Sequence, residues 1–111
     1  MKNVNIGKNT TSWKNINSNV SYDGSQNSLS FEFVVVPGDW AYGELQILIG
    51  RTQIYNNRYH FVQGVNRIDC KNTKNINGQI LFKIKFDEGH YCLLISAINM
   101  IITKDTSTKI I

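Results

Sequence analysis

In the stretch GQILFKIKF, which begins at Gly78, Ile80, Phe82, Ile84 and Phe86 alternate with Gln79, Lys83 and Lys85. An apolar residue at every second position gives a strand one dry face and one wet face, whereas a helix would scatter the same four side chains around its axis. Leu81 is the one break in the alternation. SLSFEFVVV repeats the pattern, with Leu29, Phe31, Phe33 and Val35 on one side and Ser30 and Glu32 on the other. GELQILIG does so again through Leu45, Ile47 and Ile49, between Gly43 and Gly50.

The segments between these strands carry turn chemistry. Pro37 removes an amide donor and ends the strand before it. RTQIYNNRYHFV reads as a hairpin about Asn56-Asn57, residues that tolerate the positive φ of a two-residue turn. A further strand covers Val65 to Cys70, and KNTKNING is a polar turn region. The near-continuous apolar run from His90 to Thr103 predicts a central strand covered on both faces. About seven strands with no helical period predict an all-β antiparallel sandwich, immunoglobulin-like or jelly-roll, with a small five-stranded barrel as the alternative. Residues 1–111 form one domain in this reading, and residues 1–27, rich in Asn, Ser, Thr and Lys, form a polar, partly strand-forming arm.

Charge and composition narrow the function. The net charge of +4 is spread over lysines that never cluster, so a nucleic-acid surface is not expected. No apolar run is long enough to span a membrane as a helix, and no charged start leads into an apolar segment; a cytoplasmic or virion-associated protein is expected over a secreted one. Cys70 and Cys92 are expected to be free thiols.

FDEGHYC, at Phe86 to Cys92, gathers two acids, a histidine and a thiol. Asp87 to Gly89 is expected to be a turn and His90 to start the next strand. Asp87-x-Gly89-x-Tyr91 resembles the D-x-G-x-Y corner of immunoglobulin-like sandwiches, where the tyrosine hydroxyl bonds back to the backbone. Antibody domains place a cysteine two residues after that tyrosine; Cys92 follows at once, so the resemblance stops at the corner. A nucleophilic Cys92–His90 pair would need hydrogen-bond reach, but residues two apart on a strand stand about 6 to 7 Å apart at Cα. Asp23, Ser25 and Asn27 begin a calcium-loop pattern that fails further on. His60 and His90 lack zinc-ligand spacing. No catalytic, metal or cofactor site is therefore expected.

A candidate binding face remains. A turn at Asn56-Asn57 would place Gln53, Tyr55, Arg58 and His60 together on the solvent side, with Ile54, Tyr59 and Phe61 toward the core. Asp39, Trp40 and Tyr42 would extend that face. Aromatic rings beside planar donors and acceptors suit a glycan or a protein partner, and the expected function is a non-catalytic binding module. The alternative is a structural subunit of a viral tail, coat or surface appendage, which as a homo-oligomer would pair its strand edges.

Overall fold

The computed structural model describes residues 2–7, 13–24, 28–71, 73–89 and 92–103. Eight strands occur among them: β1 (Lys2–Gly7), β2 (Lys14–Tyr22), β3 (Ser28–Val35), β4 (Ala41–Ile49), β5 (Thr52–Phe61), β6 (Gly64–Lys71), β7 (Gly78–Gly89) and β8 (Cys92–Thr103). β1 and β2 come from the stretch expected to be a polar, partly strand-forming arm, and the pairing of β2 with β7 is interrupted between Asn17 and Ser21.

The strands form two four-stranded antiparallel sheets, ordered β1-β8-β3-β6 and β2-β7-β4-β5. The pairs β1·β8, β2·β7, β3·β6 and β4·β5 nest around the β4–β5 hairpin. Pairings of β3 with β8 and of β4 with β7 then fold this long double ribbon into two layers. A rolled ribbon of eight strands is the jelly-roll connectivity. The sheets do not close on each other, so the fold is a sandwich and the five-stranded barrel is set aside.

The alternating residues supply the core. Leu29, Phe31, Phe33 and Val35 of β3 and Leu45, Ile47 and Ile49 of β4 are buried, as are Ile80, Phe82, Ile84 and Phe86 of β7. Edge-to-face rings tie the layers together: Phe82 lies 5.1 Å from Phe31 and 5.3 Å from Phe33, and Phe33 lies 5.7 Å from Phe61. Such contacts add to the area term of burial. Leu81, the exception in its strand, is half-buried on the outer face beside its register partner Leu48.

Three expectations are corrected. First, Asn56 and Asn57 lie inside β5, which runs unbroken from Thr52 to Phe61 beside β4. The turn is Gly50-Arg51, between the paired residues Ile49 and Thr52. Gly50 has φ +61°, the first central position of a two-residue turn that wants glycine. Second, Asp87 to Gly89 are the end of β7, paired through Glu88 to Tyr42 and through Gly89 to Ala41. The remainder of the expected corner, His90 and Tyr91, lies outside the described residues. Third, β8 is interior to its sheet, yet only one face is covered: Ile95 and Ile98 are buried, whereas Asn99 on the other face is exposed.

Candidate functional site

The register of β4 and β5 decides which side chains meet. Tyr42 stands opposite His60 and Glu44 opposite Arg58, on the solvent face of the β2-β7-β4-β5 sheet, because their neighbours Ala41, Gly43 and Leu45 turn into the core. Cross-strand partners on one face are close enough to pack. The Tyr42 and His60 rings stack with centroids 3.9 Å apart and planes 13° apart. Trp40, just before β4, meets both rings edge-on, 6.2 Å from each. The Arg58 guanidinium lies 5.6 Å from the centre of the Tyr42 ring, within cation–π range. Trp40 and Tyr42 are half-buried; Arg58 and His60 are exposed.

Close backbone approach beneath the cluster sets its shape. Between Tyr42 and Gly43 the pairing with β7 shifts, since Gly43 faces Phe86 while Tyr42 faces Glu88. A Cβ at Gly43 would lie 2.4 Å from the Lys85 carbonyl oxygen and from the Phe86 Cα, so only glycine fits. The extra residue, Asp87, is on β7, so it is β7 that bulges beside the end of β4 that carries Tyr42.

A charged row runs across the sheet beside the rings. Glu44 is the register partner of both Arg58 and Lys85. The Lys85 Nζ lies 3.6 Å from a Glu44 carboxylate oxygen and 5.0 Å from the centre of the Trp13 ring. Trp13, Glu44 and Lys85 were absent from the sequence-derived set. Counting back from the Gly50-Arg51 turn would set Glu44 opposite Asn57; the register shift between Ile47 and Leu48 moves it by one residue onto Arg58. Lys85 and Trp13 come from non-adjacent strands, and no local pattern in the chain announces them.

Of the seven residues expected at the site, Trp40, Tyr42, Arg58 and His60 come together. Tyr55 does not: on an unbroken strand it shares the parity of Tyr59 and Phe61, and it packs against the core. Desolvation by that burial, and secondarily nearby Cys70, raise its pKa above the usual tyrosine value; desolvation does the same for Tyr59. Gln53 is exposed but lies beyond a register shift, opposite Leu48, about 23 Å along the strand from His60 at the usual rise per residue. The Asp39 carboxylate accepts the Leu94 amide at 2.9 Å and so fastens the β3–β4 turn to β8.

Cys70 is a free, buried thiol. Burial, with a smaller contribution from Asp69, pushes its pKa up to about 12, so it holds its proton at neutral pH. The ladder also keeps it from Cys92. Cys70 pairs with Leu29, which pairs with Ile102, and Cys92 lies ten residues back along β8, roughly 33 Å away at the strand rise. A disulfide needs Cα atoms within about 7 Å. Among the described residues no three His, Cys, Asp or Glu gather where a metal ion could be held. Ser25 and Asn27 of the calcium-loop pattern lie outside those residues. No described helix is long and apolar enough to cross a membrane. Comparisons with protein-family models, with curated proteins and with solved structures returned no match.

Proposed function

We propose that this domain is a non-catalytic binding module that takes a protein partner on the solvent face of the β2-β7-β4-β5 sheet, centred on Trp40, Tyr42, Arg58 and His60. One observation carries the reading: three mutually packed rings and a guanidinium stand on the wet face of a sheet whose core is already filled from its other side. Tryptophan, tyrosine and arginine are the residues that dominate binding energy at protein interfaces. Because Tyr42 and His60 cover one face of each other, the cluster is rigid before contact, which lowers the ordering cost of association. The row through Glu44 and Lys85 supplies a polar rim with charges of both signs.

Arg58→Ala and Tyr42→Ala, both on the surface of a paired sheet, are expected to leave the fold intact and to weaken partner capture in affinity purification by tenfold or more. Identical partner sets for the wild type and both variants would remove this face from consideration. A glycan array separates the sugar version: saturable binding to one glycan class, lost in Tyr42→Ala, would replace the protein partner with a carbohydrate.

A second reading, a structural subunit of a viral tail, coat or surface appendage, is favoured by a different observation, the unguarded end of β8.

A further inference from the structure

β1 covers one side of β8 only from Cys92 to Ala97, although β8 continues to Thr103 and β3 lines its other side to the end. From Asn99 to Thr103 no described strand lies along the β1 side of β8. Every second residue there offers its backbone N–H and C=O to a further strand.

In the other sheet β2 is the end strand on this side, and no described strand lies beyond it. The pairing of β2 with β7 shifts between Asn17 and Ser21, where Asn19 has φ +58° and the Ser18 hydroxyl bonds the Ile80 carbonyl at 2.7 Å. Between the two open edges lies an apolar cleft of about 70 Å³, lined by Val20, Phe31, Ile80, Phe82, Ile98 and Met100. The lip residue Val20 is 37% exposed.

Proteins usually guard free strand edges with charge, proline or bulges. Here β6 carries Arg67 and Asp69 and β5 carries Arg58, and β2 is bulged. The end of β8 has no such guard: from Tyr91 to Thr103 the chain holds no charged residue and no proline, and neither does the facing stretch Asn15 to Tyr22. Lys2, opposite Ala97 at the end of β1, borders this stretch, but between Asn99 and Thr103 a protein of net charge +4 presents no like charge to a second copy.

We propose that a second copy of this chain docks here, β8 against β8, antiparallel about a two-fold axis through Ile101. The strand between Asn99 and Thr103 of each copy extends the β1-β8-β3-β6 sheet into the other, and the two apolar clefts close against each other. Such an interface is isologous and ends at two copies. It is also small, so association belongs in the micromolar range or weaker. The pairing is independent of the aromatic face, which stays open on both copies.

Sedimentation velocity from about 5 to about 500 µM tests it. The wild-type mass is expected to rise from one chain to two and to stop there. Ile101→Lys puts two cations opposite each other at the axis and is expected to raise the dissociation constant at least tenfold. Asn99→Lys, at an exposed position, gives the same direction should Ile101→Lys fold poorly. Val65→Lys, on β6 at 60% exposure, is the control and is expected to change nothing. A single-chain mass over the whole range, growth beyond two copies, or an equal loss in Val65→Lys would each overturn the pairing.

Discussion

Asn66 is buried at 3% exposure in β6 and makes four hydrogen bonds through one side chain. Its Oδ1 accepts the Val62 amide at 2.9 Å, and the two hydrogens of its Nδ2 are shared among the carbonyls of Val62 at 2.8 Å and of Gly64 and Phe33, each at 3.1 Å. It thus clamps the β5–β6 loop and joins it to β3. Asn66→Ala leaves the Phe33 carbonyl short of a partner where water does not reach, which costs ~1–3 kcal/mol, while the other three groups recover part of their bonding from solvent. The expected total is about 2–4 kcal/mol. For a chain of 111 residues an unfolding entropy of about 2.1 cal/mol/K per residue converts this to a fall in Tm of roughly 9–17 °C. Urea titration followed by tryptophan fluorescence measures it, and the midpoint should move with an unchanged slope. Asn66→Asp should be no better than Asn66→Ala at neutral pH, since a carboxylate keeps the bond from the Val62 amide but turns its other oxygen toward three carbonyls. A loss below about 1 kcal/mol in Asn66→Ala would refute the clamp.

Gly43→Ala is expected to cost about 3 kcal/mol or more in urea unfolding, because the new Cβ meets backbone on β7 that cannot step aside. Cys70 supplies a pH dependence: its folded pKa lies above the ordinary value of 9.0, so its contribution to stability is present below about pH 9 and is lost as pH rises toward 12. The wild-type urea midpoint should therefore fall more between pH 9 and 11 than that of Cys70→Ala. The residual fall in the variant comes from Tyr55 and Tyr59, whose pKa values are raised in the same direction.

The inward faces of β3, β4 and β7 were legible because strand parity is a local property, and burial follows the alternation residue by residue. Strand pairing is not local. Asn56-Asn57 resembles a turn in one dimension, but the flanking Gly50-Arg51 makes the shorter connection, and one misplaced turn sends Tyr55 to the wrong side of its sheet. Trp40, Tyr42, Arg58 and His60 could be named from residue type alone. Their stacking could not, since it depends on the β4–β5 register and on the close approach at Gly43. The Asn66 clamp gave no signal: an asparagine in a polar stretch looks the same whether it faces water or four backbone groups.

The nested ribbon also sets an order of events during synthesis. Ile49 and Thr52 meet almost as soon as they leave the ribosome, but Lys2 finds its partner only when Ala97 has emerged. At about 5–20 residues per second the first strand waits roughly 5–20 s for its neighbour. Through that interval its backbone is open to pairing with other nascent chains, so slowing translation of the last strand should lower the folded yield before it alters anything about the finished molecule.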